Sequence, residues 1–221
     1  MTPLIKPVLR TKKQAQATYN KMSRWYDTLS GNTEKRYRDL GLTMLAPQSG
    51  ERILEIGFGT GHALVALAQA VGPQGHVTGI DLSDGMVEVT RQRLERTRLT
   101  GRVTLLQGDA ITYPFELEVF DAVFMSFTLE LFDTPEIPQL LETCARVLRS
   151  GGRIGIVSLG KDETPTWPVR LYEWFHDQFP TFIDCRPIFA RTALQTAGFT
   201  LEQFDRQTMW GLPVEILLGL T

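Results

Sequence analysis

The chain has few of the residues that stabilise a small or secreted fold through disulfide bonds or bound metal ions. Its 221 residues include only two cysteines, Cys144 and Cys185, and three histidines. The cysteines have neither metal-ligand spacing nor a paired redox motif, so we predict no disulfide framework and no metal site. Cys144 lies in an apolar helical pattern and is expected to be a buried free thiol. With 43% hydrophobic residues, the chain can build a core without such supports.

The chain also lacks a segment that would anchor it in a membrane. No apolar run approaches the roughly 20 residues that a bilayer-spanning helix requires. Residues 1–13 contain no apolar stretch of the signal-peptide kind. Internal repeats and low-complexity stretches are missing too. We therefore expect a cytoplasmic protein.

Negative charge is scarce at the start of the chain. The net charge is −2, yet residues 1–38 carry nine basic and two acidic side chains, a balance of +7 that leaves −9 for the remainder. This basic arm, with aromatic residues among its cations, favours peripheral contact with the anionic inner face of a membrane or with an acidic substrate. The alternative is a solvated helical face whose aromatic residues pack on the core. We expect no nucleic-acid partner, and the oligomeric state stays open.

Short apolar strands alternate with helices through the middle of the chain. Strands are predicted at 52–58, 76–82, 102–109, 120–127 and 153–159, with helices at 61–71, 84–98 and 135–149. This alternation is typical of βαβ units, a mostly parallel sheet and an α/β, Rossmann-like fold. After residue 160 we predict helices at 165–179 and 187–197. An antiparallel hairpin of 199–208 and 214–220 should follow, joined through Gly211-Leu212-Pro213.

A glycine-rich loop joins the first of these strands to its helix. It reads Glu55-Ile56-Gly57-Phe58-Gly59-Thr60-Gly61. Glycines permit a sharp turn and let a ligand lie against bare backbone, and the helix that follows offers free N–H groups. Asp81 ends the second strand, 20 residues past the last glycine, where an acidic group can accept both hydroxyls of a ribose.

Two nucleotide cofactors are compatible with such a loop. Dinucleotide-binding oxidoreductases carry G-x-G-x-x-G, with one more residue before the third glycine than the G-x-G-x-G of this chain. Glu55 stands two residues before the first glycine, where it would repel a pyrophosphate. The same carboxylate suits the cationic amino end of S-adenosylmethionine. The loop therefore predicts S-adenosylmethionine as the cofactor and S-adenosylhomocysteine as the product.

Other strand ends supply further candidates around this cofactor. Asp109 closes the third strand, where it can accept the adenine amine. Met86, one turn into the helix after Asp81, is a candidate cover for an adenine face, although a methionine at helical spacing is more often core. Ser126 ends the fourth strand, at the edge where open α/β sheets bind ligands. His62 follows the loop and is expected to line the cofactor pocket.

Together these motifs resemble the class I methyltransferases of the ubiquinone/menaquinone-biosynthesis type. The matching strings are YNKMSRWYD at 19–27, ILEIGFGTG at 53–61, GIDLS at 79–83, GDA at 108–110, YPF at 113–115, FDAV at 120–123 and RVLRSGGR at 146–153. The resemblance implies a seven-stranded sheet of order 3-2-1-4-5-7-6, with strand 7 antiparallel and helices on both faces.

The same resemblance implies how the chain is divided. Residues 1–45 would form a helical lid over the cofactor, with Tyr19 and Tyr26 as the matching tyrosines. Residues 46–221 would form the methyltransferase domain, with a substrate-capping helical insertion at about 161–197. The predicted cofactor-binding residues are Tyr19, Glu55, Gly57, Gly59, Gly61, Asp81, Leu82, Met86, Asp109, Ala110 and Ser126.

Candidate catalytic residues flank the expected substrate pocket. Glu130 follows the fourth strand and could orient a polar group or act as a base; the alternative is a carboxylate in a solvent loop. His176 lies in an aromatic helix expected to roof the pocket, although a lone histidine is more often structural. Tyr26, in the lid, is the third candidate. Asp184 and Arg186 form either a buried ion pair or a site for an anionic substrate group.

We therefore expect a methyltransferase that acts on a small or lipophilic acceptor. The first expectation is C-methylation of a quinone-type aromatic precursor, which benefits from a base that removes a phenolic proton. The alternative is N-methylation of a phospholipid amine, phosphatidylethanolamine, which the basic arm favours. A third hypothesis, of another class, is a non-catalytic cofactor-binding protein that supports a partner.

Overall fold

A computed structural model describes residues 5, 8, 11–22, 31–162, 164, 167–178 and 185–221. For residues 21, 22, 31, 32 and 175–177 the backbone alone is described. Tyr26 and Asp184 therefore lie outside the described residues, as does the side chain of His176. No helix among the described residues has both the length and the apolar character needed to cross a bilayer.

Helices and strands alternate along most of the chain. In order they are α1 (Lys12–Met22), α2 (Gly31–Leu45), β1 (Arg52–Ile56), α3 (His62–Val71), β2 (His76–Asp81), α4 (Asp84–Thr97), β3 (Val103–Gln107), β4 (Phe120–Ser126), α5 (Glu136–Val147), β5 (Leu148–Leu159), α6 (Trp167–Gln178), α7 (Ala190–Thr196), β6 (Thr200–Met209) and β7 (Leu212–Leu220). Two 3₁₀ turns, Thr100–Arg102 and Leu129–Leu131, lie between them.

The strands form one sheet with the predicted topology. Its order is β3-β2-β1-β4-β5-β7-β6, which confirms the expected arrangement. The strands from β3 to β5 are parallel, and β7 runs antiparallel between β5 and β6. The carboxyl ends of β1, β2, β3 and β4 therefore meet at one edge of the sheet, which is where ligands bind in this architecture.

Helices cover both faces of the sheet. The cluster on one face includes buried residues of α2, α3 and α4, such as Leu45 and Leu64. The cluster on the other face includes residues of α5 and α7, such as Leu140 and Leu194. Because both faces of the central strands are buried, those strands are nearly continuous apolar runs, which explains why the sequence pattern located them.

Among the predicted boundaries that differ from the structure, three have a physical reason in the contacts of the chain. β5 begins at Leu148 rather than 153, because Leu148 pairs with Phe120 and an irregularity in β5 accommodates the extra residues before Arg153 pairs with Ala122. α7 is shorter than 187–197, because Ile188 is extended and donates its amide to Leu159 O at 3.0 Å. The hairpin turn is Trp210-Gly211, with φ of 52° and 82°, so residues 212 and 213 belong to β7.

The two N-terminal helices occupy different positions. α2 packs on the sheet, where Leu45 is fully buried and Tyr37 donates its hydroxyl to Thr208 O at 2.7 Å. α1 lies against α4, where the Asn20 amide oxygen accepts hydrogen bonds from Ser83 Oγ (2.6 Å) and Gly85 N (3.1 Å). A division of the chain at residue 45 stays a prediction.

Candidate cofactor and acceptor site

A cavity of about 490 Å³ opens at the carboxyl ends of β1, β2, β3 and β4. That volume lies within the range of roughly 300–1,000 Å³ that ligand sites occupy. The predicted residues that line it are Tyr19, Glu55, Gly57, Gly59, Asp81, Leu82, Met86, Asp109, Ala110 and Ser126. Gly61, the remaining member of the predicted set, is not among its lining residues. The glycine loop, two strand-end carboxylates and α1 therefore share one cavity.

The three loop glycines serve different purposes. Gly57 and Gly61 have φ of 70° and 81°, and a Cβ on them would lie 2.4 Å from Thr128 Cγ2 and 2.5 Å from Thr90 Cγ2. Gly59, with φ of 52°, lines the cavity, and a Cβ there would meet no protein atom within 4 Å. Packing within the protein thus excludes side chains at 57 and 61, whereas Gly59 leaves bare backbone for a ligand.

Asp81 connects the loop to the second strand. Its Oδ2 accepts the amide of Gly59 and its Oδ1 the amide of Ser83, each at 2.9 Å. Burial raises the pKa of Asp81, and hydrogen bonds from the Ser83, Gly59 and Leu82 amides oppose that rise. A carboxylate has about four acceptor positions, so both oxygens can still accept a ribose hydroxyl.

Glu55 is a buried carboxylate at the end of β1. It is 3% exposed, and its Oε2 has no hydrogen-bond partner among the described residues. Burial raises the pKa of Glu55 well above its usual value; the charge of Arg38 opposes this rise and that of Asp81 adds to it. A cationic hydrogen-bond donor would satisfy this group, as the ammonium of an amino acid does.

The cavity as a whole is acidic. Among its described lining residues, two cations, Lys12 and Arg38, face a larger set of carboxylates: Glu34, Glu55, Asp81, Asp109, Asp133 and Glu136. S-adenosylmethionine carries a sulfonium and an ammonium against a single carboxylate, so this field attracts it. The pyrophosphate of a dinucleotide would be repelled. The donor set therefore fits a sulfonium cofactor.

Lys12 of α1 reaches the carboxylate proposed for adenine. Its Nζ lies 2.6 Å from Asp109 Oδ2 and 2.7 Å from Glu136 Oε1. Burial disfavours its charge, but the hydrogen bonds and charges of Asp109 and Glu136 outweigh burial and raise the pKa of Lys12. Asp109 Oδ1 accepts the amide of Ile111 at 3.1 Å. Sequence reasoning counted Lys12 within the basic arm and missed this contact.

An apolar wall borders the end of β4. Phe127 has a left-handed backbone, with φ of 52°, and donates its amide to Val157 O at 2.7 Å. Its ring meets Tyr37 edge to face, with centroids 6.4 Å apart. Leu131 and Phe132 line the same cavity. A non-glycine residue is strained in this conformation, which marks the position as one that the surrounding structure fixes.

Glu130 lies behind this wall rather than in the cavity. It is fully buried, does not line the cavity, and its Oε1 accepts the amide of Leu159 at 3.0 Å. The alternative of a solvent-exposed carboxylate is wrong, because the 3₁₀ turn at 129–131 directs Glu130 into the core. The expectation that Glu130 reaches an acceptor is likewise not supported by its position.

Arg186 is buried near Glu130. It is 1% exposed and donates from Nη2 to Phe132 O at 2.5 Å and from Nη1 to Thr134 Oγ1 at 3.1 Å. Burial lowers the pKa of Arg186, and the charges of Asp133 and Glu130 oppose this. Because Arg186 already donates to Phe132 and Thr134, a structural role is favoured over a site for an anionic substrate group. The predicted pairing with Asp184 lies outside the described residues.

The other candidates are placed only in part. His62 lines the cavity, and its Nδ1 lies 3.0 Å from Arg93 Nη1. Position 176 lies near the end of α6, but the His176 side chain is outside the described part of the chain, and so is all of Tyr26. Their catalytic roles stay predictions.

Comparison with known proteins agrees with this geometry. Residues 53–152 match the family model described as "Methyltransferase domain". A demethylmenaquinone methyltransferase of Staphylococcus aureus is 31% identical over 175 residues, which cover 77% of this chain and 70% of that protein. The chain belongs to the class I S-adenosylmethionine-dependent methyltransferases. The Listeria welshimeri demethylmenaquinone methyltransferase is 28% identical over 175 residues, covering 77% of this methyltransferase and 73% of the relative.

Solved structures share the fold of this methyltransferase. The crystal structure of the [4+2]-cyclase SpnF superposes with a TM-score of 0.76 and covers 96% of this chain and 97% of its own. Its sequence is 18% identical, so the likeness concerns the fold alone. The cofactor of this methyltransferase is S-adenosylmethionine. The roles of Glu55 at its amino end, Asp81 at its ribose and Asp109 at its adenine stay predictions.

Proposed function

We propose that this methyltransferase transfers the methyl group to a ring carbon of a quinone-type aromatic precursor. The observation that carries the proposal is the apolar wall of Phe127, Leu131 and Phe132. This wall lines the same cavity as the carboxylate side chains predicted to bind the cofactor. A flat, lipophilic ring can pack on such a wall. The relatives named demethylmenaquinone methyltransferases, at 28% and 31% identity, support the same class of acceptor.

The chemistry requires little of the chain beyond positioning and proton removal. When bound, S-adenosylmethionine supplies a methyl group whose bonding pair stays with sulfur, so the acceptor carbon provides the pair for the new bond and then loses its proton. Fixing the acceptor in line and excluding water can lower the barrier substantially. In the proposed enzyme, Phe127 and Phe132 hold the ring and keep water from it.

A proton acceptor is still needed for a phenolic hydroxyl. We propose Tyr26 and His176 for contact with the acceptor, whereas Glu130 acts as a positioning residue beneath the wall. Tyr26→Phe and His176→Ala should each lower kcat by roughly 10²-fold or more if they exchange the proton. The affinity for S-adenosylhomocysteine should not change. A variant with unaltered kcat would show that its residue takes no part in catalysis.

Two acceptors distinguish the proposal from its alternatives. The purified enzyme is incubated with methyl-labelled S-adenosylmethionine and either a short-chain demethylated naphthoquinol or phosphatidylethanolamine vesicles. Mass spectrometry then locates the label. A labelled ring carbon supports the proposal, and a labelled headgroup amine replaces it with phospholipid N-methylation. Binding of S-adenosylhomocysteine without transfer to either acceptor would overturn it in favour of a non-catalytic role.

A lipophilic acceptor also needs a route from the membrane, and we propose peripheral contact with an anionic bilayer. On α6, Trp167, Leu171 and Trp174 are spaced along one helical face and are 75%, 46% and 52% exposed. Trp210, 74% exposed, sits on the hairpin turn whose Gly211 approaches Pro168 of the same helix. Tryptophan is enriched where one side of a residue is apolar and the other wet, as at membrane interfaces.

Positive charge lies beside this tryptophan face. Arg170 is exposed on α6, and the basic arm adds exposed Lys35 and Arg36 on α2. Arg36 Nη2 lies 3.4 Å from Gln207 Oε1, near the hairpin turn. Cations beside exposed tryptophans are the combination that binds anionic lipid surfaces. A basic face that stays in solvent is the alternative.

Co-sedimentation with anionic vesicles tests this contact. We expect retention at low salt that weakens at high salt, and loss of retention when Trp167 and Trp174 are both replaced by serine. The matched control is Leu117→Ser, an equally exposed apolar residue (60%) before β4, at the opposite edge of the sheet from the cavity. No retention of the unaltered enzyme on anionic vesicles would overturn the membrane proposal and leave the methylation proposal intact.

A further inference from the structure

Arg38 is a cation in the cavity wall that no predicted role includes. It lies on α2, lines the cavity, and its side chain is 13% exposed. Its Nη2 makes a long contact of 3.3 Å with Asp39 Oδ1, while Asp39 Oδ2 lies 2.6 Å from Lys35. The Nε of Arg38 is buried and donates to no acceptor in the described part of the chain. Buried donors in native proteins are nearly always satisfied, so Arg38 calls for an acceptor in the cavity.

Glu55 is a buried acidic residue that lines the same cavity as Arg38. The positive charge of Arg38 opposes the rise in the pKa of Glu55, so the two charges interact across the cavity. No hydrogen bond or ion pair joins them, and each retains a buried polar atom without a partner, Arg38 Nε and Glu55 Oε2. Two opposite charges that face one cavity without pairing can receive one ligand that carries both signs.

We propose that Arg38 binds the α-carboxylate of S-adenosylmethionine while Glu55 receives its ammonium. The two groups then recognise the amino-acid end of the cofactor as a zwitterion. A guanidinium suits the carboxylate because it can donate two parallel N–H bonds to the two oxygens. This role makes α2, from the basic N-terminal segment, part of the cofactor site. It depends on the cofactor and not on the identity of the acceptor.

A cofactor analogue that lacks only the carboxylate isolates this contact. Affinities are measured calorimetrically, without turnover, for S-adenosylhomocysteine and for its decarboxylated analogue. The unaltered enzyme should prefer the carboxylate-bearing ligand. Arg38→Met should lower the affinity for S-adenosylhomocysteine by roughly 10- to 100-fold, the worth of a charged hydrogen bond, and leave that for the analogue unchanged. Arg38→Lys should lose less, because it keeps the charge but not the paired donors.

Controls separate this role from folding and from acceptor binding. Arg96→Met removes an exposed arginine of α4 that does not line the cavity and should change neither affinity. A thermal melt of each variant checks that it is folded. If Arg38→Met does not fold, the two ligand affinities are compared in Arg38→Lys instead. Equal losses for both ligands, or no loss for either, would overturn the proposal. A raised KM for the acceptor with unaltered S-adenosylhomocysteine binding would assign Arg38 to the acceptor instead.

Discussion

Asp81 and Gly59 are joined by a hydrogen bond of 2.9 Å, from the Gly59 amide to Asp81 Oδ2. Asp81 ends β2 and Gly59 lies in the loop after β1, and these strands are parallel neighbours. The residue predicted to bind the ribose therefore also fixes the loop predicted to contact the cofactor. A change at Asp81 should disturb two parts of the site together.

We predict that Asp81→Asn weakens S-adenosylhomocysteine binding by roughly 10- to 100-fold, because one of its two backbone hydrogen bonds is lost and the negative charge disappears. Calorimetry measures the loss. The matched control is Asp121→Asn, because Asp121 also accepts a backbone amide, that of Arg52 at 2.7 Å, but at the start of β4. Unaltered affinity in Asp81→Asn would remove the ribose assignment.

Glu55 should make the ligand-free enzyme less stable as pH rises. Burial raises the pKa of its carboxyl in the folded state, so the fold favours the protonated form. Stability is unaffected below the ordinary carboxyl pKa and falls as pH rises from there through the folded value. We predict that Glu55→Gln raises the unfolding free energy at neutral pH by about 1–2 kcal/mol, with the difference vanishing near about pH 4.

The same substitution should weaken cofactor binding, since an amide cannot pair with an ammonium. Thermal melts across pH, with and without S-adenosylhomocysteine, measure both effects. In the unaltered enzyme, binding should release a proton wherever Glu55 is protonated before the ligand arrives. A Glu55→Gln variant that is less stable than the parent at neutral pH, or that binds equally well, would contradict the assignment.

The folded protein should tolerate a methyl group at position 59, whereas the complex with the cofactor should not. We predict that Gly59→Ala costs about 1–2 kcal/mol of stability, because its φ of 52° is left-handed, and abolishes measurable S-adenosylhomocysteine binding. The control is Gly50→Ala, with φ of 88° and likewise nothing within 4 Å of its Cβ. It should show a similar drop in Tm with normal affinity. Equal affinity in the two variants would show that Gly59 does not contact the cofactor.

Lys12 should hold α1 over the adenine end of the cavity. It joins Asp109 and Glu136, so we predict that Lys12→Met lowers cofactor affinity by roughly 3- to 10-fold, a modest loss because the pair is partly exposed to solvent. Limited proteolysis before α1 should also become faster. Lys13→Met, on the exposed side of the same helix, serves as the control. Tighter binding in Lys12→Met would mean that Lys12 competes with adenine for Asp109.

The parts of the fold that could be predicted are those determined by residues close together in the sequence. Strands buried on both faces are apolar runs, and Asp81 and Asp109 follow directly from strand ends. The place of β7 between β5 and β6 came from family resemblance, because antiparallel pairing after residue 160 has no local signal for its neighbours. The turn at Trp210-Gly211 was misplaced because Pro213, a residue typical of connections, is the second residue of β7.

The parts of the site that were missed come from distant segments. Lys12 and Arg38 line the cavity because α1 and α2 fold back over the strand ends. Asn20 does not line it but fixes α1 in place by accepting hydrogen bonds from Ser83 and Gly85, more than 60 residues away. Basic and polar residues on surface helices are common, so nothing in their spacing marked them. The strained backbone of Phe127 likewise depends on tertiary contacts with Val157 and Tyr37.

Glu130 was predicted as a catalytic residue because it follows β4, but it is buried in the core and does not line the cavity. It accepts the Leu159 amide and its charge supports that of buried Arg186. We predict that Glu130→Ala lowers the unfolding free energy by about 3 kcal/mol or more, because a buried cation loses a counter-charge and an amide loses its acceptor. Glu130→Gln keeps the acceptor and should lose less, with kcat per folded molecule preserved. Denaturant unfolding and single-turnover rates measure the two effects, with exposed Glu142→Gln as the control. A folded Glu130→Gln enzyme without turnover would return Glu130 to the catalytic residues.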